Sequence, residues 1–381
     1  MVIDVSGRVL FLQCTNAGQY PPILNSSRLL ARAGWHVTVL SSPSVDTVGL
    51  TVPSGPDIRH ISTPLRRQNA VRPVDYAIYG ATAIATAARV RPHFIYASDP
   101  LAALPALLAS KISGAAIVYH EHDSPVPGAA RSWIARWRAE VVRAARLIVF
   151  PNEARARIAQ AELGFSSDRL RVVWNVPRRG EFPALAPSDD EILRLHYHGN
   201  ISPMLVPEGI VEAVRRLDGR VRLRVAGYEA PSARGYVRRL LDLGRGSDNQ
   251  PLVEFLGQVP RGRLLSEAAT AHIGLATMPR MSQDVNVRHM VGASNKVFDY
   301  MAAGLPLLVS DLADWQDTFV ARGFGRACDP DDPGSVAAEL SWFVENAAER
   351  RAMAARNRVK VETDWNYDTA FAKVLDVLND A

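Results

Sequence analysis

The strongest constraint on the fold of this chain is a rhythm that occurs twice: short β-branched apolar runs alternate with longer stretches whose apolar residues recur at helical spacing. Residues 8–13 (RVLFLQ) form the first run, a polar turn containing a glycine follows, and residues 22–33 carry the helical pattern. Residues 35–41 (WHVTVLS), 93–97, 115–120, 147–150 and 170–173 repeat the strand signal, with helical stretches between them. This alternation predicts a parallel sheet covered on both faces, because a parallel connection has to cross over and a helix makes the crossing.

Around residues 180–190 (GEFPALAPSDD) the composition turns to proline, serine and acid, the character of a linker between domains. The rhythm then restarts with strand runs at 193–198, 221–226, 253–256, 273–276 and 307–309, followed by a helix over much of 336–361 and a closing helix over 365–378. At 381 residues the chain exceeds what one core usually holds, so two α/β units are expected. Sheets of this kind bind ligands beyond the carboxyl ends of their strands, which puts the expected site in a central cleft that the two units face. An oxidoreductase nucleotide domain fits poorly. The first strand is followed by Cys14-Thr15-Asn16-Ala17-Gly18 rather than G-x-G-x-x-G, and the second strand does not end in an acid.

Composition narrows the function classes. With 48% hydrophobic and 22% charged residues and no low-complexity tract, the chain reads as globular. No apolar run approaches a bilayer span, and residues 1–7 lack the basic start and apolar stretch of a signal peptide, so a cytoplasmic location is expected. Cys14 and Cys328 have no ligand-like spacing, which argues against a disulfide framework and against a structural zinc. The net charge is +5, but no nucleic-acid motif and no basic strip interleaved with aromatic residues is present, so no nucleic-acid partner is expected.

The most informative stretch is residues 292–311, GASNKVFDYMAAGLPLLVSD. Ser294, Asn295 and Lys296 open a helix that turns apolar and small and ends at Gly304 before a buried strand. A hydroxyl, an amide and an ammonium at a helix N-terminus suit a diphosphate, because the free N–H groups and the helix dipole favour negative charge there. Asp299, one turn on from Asn295, would face the same cleft and accept hydrogen bonds from a ribose diol. The other reading is an ordinary capping box, with Asp299 a solvated acid and Lys296 a surface charge.

This segment resembles the donor-binding motif of the retaining GT-B glycosyltransferases of family 4, many of which carry a Pro-(Ser or Asn)-Lys run and a Glu-Tyr-Met-Ala-x-Gly-x-Pro continuation. The resemblance implies a GT-B fold of two Rossmann-like domains. Residues 1–182 would form the acceptor-side domain and 183–362 the nucleotide-sugar donor domain, with 363–381 a helix packing back on the first domain. By the same resemblance Asp299 would bind ribose, while Ser294, Asn295 and Lys296 face the donor diphosphate. Tyr119-His120-Glu121-His122-Asp123 is similar to the family's Tyr-Asp-x-His-Glu run at a strand end, which implies that His122 reaches the donor sugar; His120 reads as structural. Gly18 matches the glycine loop after the first strand, and Gly199-Asn200 and Gly227 match loops after the first two strands of the second domain. The run Arg171 to Pro177 resembles the family's Asn-Gly segment with Val176 in place of glycine, and reads as a hinge.

Two positions depart from the pattern. Val291 stands where the family has the first of its paired carboxylates, and Asn200 and Glu208 stand near its arginine and lysine. Diphosphate charge would then rest on Lys296, the helix terminus and Arg288. The activity implied is transfer of a sugar from a nucleotide diphosphate donor to a glycan or lipid-linked acceptor of the cell envelope, with retention, no metal and no cofactor. Asp123 or His122 would be the base if the enzyme inverted. A sugar-nucleotide epimerase of the same fold, or a non-catalytic GT-B partner of another transferase, are the alternatives. Residues 131–146 (RSWIARWRAEVVRAAR) place Trp133, Ile134, Trp137 and Val141 on one helical face, with Arg131, Arg136, Arg138 and Arg143 flanking it. This pattern suits peripheral contact with an anionic membrane at the inner face, and it also suits a core helix with a solvated basic face.

Overall fold

The computed structural model describes residues 7–47, 50, 52–67, 71–125, 133–185 and 192–380; residues 186–190 of the expected linker and Arg131 lie outside them. The chain forms two compact units. The first takes the residues up to Asn175, then Gln283–Ala293 and the chain from Tyr367; the second takes Val176–Ser282 and Ser294–Asn366. The boundaries expected at 182/183 and 362/363 thus fall at 175/176 and 366/367, and an eleven-residue stretch expected in the second domain belongs to the first unit. The physical reason is local. Gly292 O accepts from Asn175 N (2.6 Å), and the Asn152 amide donates to the carbonyls of His289 (3.0 Å) and Val291 (2.8 Å).

The first unit carries a seven-stranded, all-parallel sheet. Its strands are β1 (Arg8–Gln13), β2 (His36–Ser41), β3 (Ile58–Ser62), β4 (Phe94–Ser98), β5 (Ala116–His120), β6 (Leu147–Phe150) and β7 (Leu170–Val172), in the order β3-β2-β1-β4-β5-β6-β7. The central strands are buried along nearly their whole length, which is why they read as unbroken apolar runs. The C-terminal helix Tyr367–Asn379 belongs to this unit and buries Tyr367, Phe371, Val374 and Leu378, one helical face. The Tyr367 hydroxyl donates to Pro22 O (3.2 Å) and shares a hydrogen bond with Ser26 Oγ (2.8 Å), while Trp35 Nε1 donates to Asn379 Oδ1 (3.0 Å).

The second unit carries a six-stranded parallel sheet of β8 (Leu193–Ile201), β9 (Val221–Glu229), β10 (Val253–Gly257), β11 (Ile273–Ala276), β12 (Leu307–Ser310) and β13 (Gly325–Cys328). Their order is β10-β9-β8-β11-β12-β13. Each sheet therefore reverses direction once, between β1 and β4 and between β8 and β11, and ligands of such sheets sit at that point outside the strands' carboxyl ends. Two edge strands, β3 and β13, had no strand signal in the sequence: IRHIS and GRAC are only partly buried and lack a β-branched apolar run. The single helix expected over 336–361 is two, Pro333–Glu345 and Ala347–Thr363, parted at Asn346, whose side chain donates to Trp342 O (2.9 Å).

Candidate functional site

In the second unit the carboxyl ends of β8 and β9 are shaped by two glycines that pair across the ladder, Gly199 (φ 122°) and Gly227 (φ 141°). A Cβ at Gly227 would lie 1.8 Å from Gly199 O, and one at Gly199 would lie 2.9 Å from Lys296 Cε. Only glycine permits both the backbone angles and the approach. Both residues lie within the strands, which run on to Ile201 and Glu229, rather than in loops after them as expected.

The helix Asn295–Ala302 starts against this strand end with Ser294 as its N-cap residue. Ser294 makes no side-chain capping bond, so the ordinary capping box is not formed. Its Oγ, Asn295 Oδ1 and Asn200 Oδ1 are buried without a hydrogen-bond partner among the described residues. Beside them the Lys296 ammonium lies 5.7 Å from the centroid of the Tyr197 ring and forms no ion pair among the described residues. Burial pushes it down to about 8, against the pull of Asp299. Buried polar atoms without partners are costly; at this helix N-terminus the N–H groups, the Ser294 hydroxyl and the Lys296 ammonium can donate to an anion, whereas the Asn200 and Asn295 amides do so only when rotated to present their NH2 groups.

Asp299 is 1% exposed, which removes the reading of it as a solvated acid. It also departs from the expected free ribose ligand. Arg261 Nη1 and Nη2 donate to its two oxygens (2.6 and 2.9 Å), and His198 Nε2 lies 3.2 Å from Oδ2. Burial alone would raise this carboxyl; the Arg261 guanidinium and the bonds from His198 and Arg261 carry it below the usual carboxylate range. Burial lowers His198, so it is a neutral imidazole with the Nε2 proton directed at Asp299, and its backbone N–H donates to Tyr300 Oη (3.0 Å). Arg261 also donates to Glu181 Oε1 (3.2 Å). Neither Arg261 nor His198 was legible as a site residue: the first stands 38 positions from Asp299 and the second 101, with no spacing rule to connect them.

In the first unit His122 follows β5 with its imidazole buried, and both ring nitrogens lack a partner among the described residues. Burial and the charge of Arg155 push it down to about 3, so it is neutral at physiological pH. The Tyr20 ring lies 5.6 Å from it and the His120 ring 4.0 Å. His120 Nδ1 is bonded to the Tyr96 hydroxyl (2.7 Å), and its Nε2 has no partner among the described residues.

The backbone around His122 is fastened on every side. Asp99 Oδ1 accepts from the N–H of His122 (2.7 Å) and of Asp123 (3.2 Å), Arg155 Nη1 donates to His122 O (2.7 Å), and the Asn286 amide exchanges two 2.8 Å bonds with the backbone of Ser124. Asp123 itself is 68% exposed, 3.9 Å from Arg155. Gly18 donates its N–H to Asn16 Oδ1 (2.9 Å) in the turn after β1, and its φ is not among the positive ones, so the backbone there does not require glycine. Arg288 ends the short helix Val285–Arg288 and falls in the first unit, whereas Ser294, Asn295 and Lys296 fall in the second.

The helix Trp133–Ala144 corrects the expected basic flank. Arg138 points inward, 3% exposed, and holds the fully buried Glu121 through Nε (2.6 Å) and Nη2 (2.8 Å) and Glu162 through Nη1 (2.8 Å). Val141 is in the core. What remains outside is Trp133, half exposed with its ring 5.1 Å from that of Tyr76, and a groove of about 410 Å³ lined by Leu108, Lys111, Arg136, Trp137 and Arg143. No helix among the described residues is long and apolar enough to cross a membrane.

Residues 23–176 match the family model described as Glycosyltransferase Family 4, and residues 207–376 match one described as glycosyl transferase-like. No curated protein sequence matches the chain. Among solved structures it is similar to the sucrose-phosphate synthase of Thermosynechococcus elongatus, at 14% identity and a TM-score of 0.74, covering 98% of each chain. It is similar to HepE (Alr3699) of Anabaena in complex with UDP and glucose, at 16% identity and 0.71, covering 98% of this chain and all of the other. It is also similar to WaaG, a glycosyltransferase involved in lipopolysaccharide biosynthesis, at 15% and 0.66 with the same coverage. At such identities the structural likeness carries the fold.

Proposed function

We propose, from the premise that the chain is a glycosyltransferase of the GT-B fold matched by glycosyltransferase family models in both halves, that it transfers a sugar from a nucleotide diphosphate donor to a glycan or lipid-linked acceptor with retention and without a metal. The observation that carries this reading is the cradle at the start of helix Asn295–Ala302: an ammonium without an ion pair beside buried oxygens of Asn200, Ser294 and Asn295 that have no partner among the described residues. A diphosphate would meet the helix N–H groups and Lys296, and would turn the hydroxyl and amides into donors. As the bond between the anomeric carbon and the phosphate oxygen breaks, negative charge grows on the leaving diphosphate, and a fixed cation in a site shielded from water stabilises it without reorganisation. Lys296 and the helix terminus supply that charge, so a bridging metal is not called for.

In a retaining course the acceptor oxygen bonds to the anomeric carbon on the face the phosphate leaves, and its proton passes to a phosphate oxygen. No protein base is then required. Neutral His122, with both ring nitrogens open, would hydrogen-bond a hydroxyl of the donor sugar. HepE holds UDP and glucose, which makes UDP-glucose the first donor to try. A panel of nucleotide sugars scored by thermal shift, followed by NMR of the product's anomeric configuration with and without chelator, tests the reading. An inverted product overturns retention, loss of activity on chelation overturns metal independence, and nucleotide release that needs no acceptor overturns transfer.

The WaaG likeness and the groove beside Trp133 support an acceptor at the inner face of an anionic membrane. The aromatic edge would enter the headgroups while Lys111 and Arg136 meet lipid charge; Arg143 is paired with Glu140 (2.6 Å), which also lines the groove. Flotation with vesicles containing phosphatidylglycerol should capture the protein, and Trp133→Ala with Arg136→Glu should lose about tenfold of that binding, each basic residue near such a surface being worth about 1 kcal/mol. Undiminished flotation of this variant overturns the site.

A further inference from the structure

Asp99 stands at the reversal point of the first sheet, and neither the motifs nor the proposed chemistry uses it. It follows β4 at φ 66° and ψ 163°, a region of backbone space essentially reserved for glycine. Arg91 also has a positive φ, but with ψ 62° it is an ordinary left-handed helix cap. A side chain is kept at Asp99 in a conformation glycine would adopt without penalty, so the carboxylate must be needed for something its position provides.

Its surroundings identify the need. Asp99 N donates to His120 O (2.9 Å), the last rung between β4 and β5. Beyond that rung no backbone bond joins the two segments among the described residues, and Asp99 Oδ1 takes over by accepting the N–H groups of His122 and Asp123. The side chain thus extends the strand pairing by two residues, to the point where His122 must be held. Nothing else described accepts from the His122 N–H, and both its imidazole nitrogens are free of partners among the described residues, so the ring's direction depends on how its backbone is pinned.

We infer that Asp99 is a positioning residue that sets the direction of the His122 side chain toward the donor sugar, and that the strained backbone is retained for this. The inference rests on the proposed role of His122. Burial and the neighbouring Asp123 hold the Asp99 carboxyl well above the usual carboxylate range, so a neutral carbonyl acceptor of the same shape serves as well. Asparagine offers that acceptor and, with the same Cβ, bears the same backbone strain that Asp99 already bears.

The test compares Asp99→Gly, Asp99→Asn and His122→Ala on UDP-glucose, or on the panel donor that is turned over, reading kcat, donor KM and thermal midpoint. Asp99→Gly relieves the strain and removes the acceptor. We expect its kcat to fall about 10- to 100-fold, the scale of a misplaced catalytic group, with donor KM and midpoint near those of the parent. Asp99→Asn should restore kcat. If Asp99→Gly turns over normally, or if Asp99→Asn is as impaired as the glycine variant, the positioning role is overturned, the second result making the carboxylate itself a reacting group. Should Asp99→Gly prove too unstable to assay, Asp99→Asn alone decides by keeping or losing kcat. His122→Ala separates the two readings. Normal turnover there overturns the role of His122, whereas a collapse there with normal Asp99→Gly overturns only this inference.

Discussion

The end of β8 in the second unit and the end of β5 in the first treat polar atoms in opposite ways. Beyond β8, side-chain oxygens of Asn200, Ser294 and Asn295 and the ammonium of Lys296 are gathered and left without partners among the described residues. Beyond β5, the backbone of His122 to Ser124 is fastened by Asp99, Arg155 and Asn286, while both imidazole nitrogens of His122 and Nε2 of His120 have no partner among the described residues. The first arrangement leaves its cost for a ligand to relieve. The second spends its hydrogen bonds in advance to hold one ring in place. A diphosphate is large, charged and tolerant of small shifts, so it can be received by many weakly constrained groups, whereas one contact to a sugar hydroxyl works only when its direction is set beforehand.

The comparison is sharpest where it fails, because Asp299 lies in the open cradle's helix yet is internally paired. If its carboxylate is structural, removing Arg261 leaves a buried charge hydrogen-bonded to a neutral histidine, with only the more distant pull of the Lys296 ammonium to offset it. Arg261→Met should then destabilise the protein by about 3 to 5 kcal/mol, the usual cost of orphaning one member of a buried pair. Asp299→Asn should cost less, because Arg261 keeps Glu181. The double variant should be more stable than Arg261→Met alone, since no buried charge is left alone. Urea denaturation of the four proteins measures this. A stable Asp299→Asn whose donor KM rises while kcat holds would move Asp299 to the ligand-binding side, as the family resemblance implied.

Lys296 is the next largest expected effect and the one that separates the two strand ends most directly. Lys296→Ala should lose about 100- to 1000-fold in kcat, the range for removing one preorganised electrostatic donor, while keeping its fold because the ammonium forms no ion pair among the described residues. Its pH dependence gives a second handle. The protonated form is the active one and burial lowers it to about 8, so kcat/KM for the donor should fall as pH rises through that value in the free enzyme. Lys296→Arg, which stays charged, should remove this alkaline limb even if its geometry lowers the maximum. An alkaline limb that persists in Lys296→Arg belongs to another group.

How much of this was legible in the sequence follows from the same contrast. The central strands and the 292–311 motif announce themselves because burial and helix entry act over a few consecutive residues. The edge strands β3 and β13 do not, since partial burial leaves no apolar run to read. Arg138 was assigned to a membrane-facing flank because periodicity gives the angle between residues on a helix and not which side meets the core; a buried Glu121, 17 positions earlier, turned it inward. The segment Gln283–Ala293 has no period at all, and its place in the first unit depends on side chains of Asn152 and Arg155 more than 130 positions away. Asp299 and His122 were singled out by motif as candidates, but the distant residues that hold them were not.

The smallest expected effect tests whether fastening the His122 loop matters beyond stability. Asn286, from the distant segment, accepts from Ser124 N and donates to Ser124 O, and Ala removes both bonds at once. A typical hydrogen bond is worth roughly 0.5 to 1.5 kcal/mol net, so Asn286→Ala should cost about 1 to 3 kcal/mol and lower the thermal midpoint by several degrees. Asp99 and Arg155 still hold the residue that matters, so His122 should keep its direction and kcat should fall only a few fold, less than for Asp99→Gly. The ratio of the two losses measures how far pinning at Ser124 is felt at His122, two residues away. A drop in kcat as deep as that of Asp99→Gly would mean that the loop is held as one rigid piece rather than residue by residue. Unchanged kcat with the expected loss of stability would confine the catalytic part of the fastening to the Asp99 side.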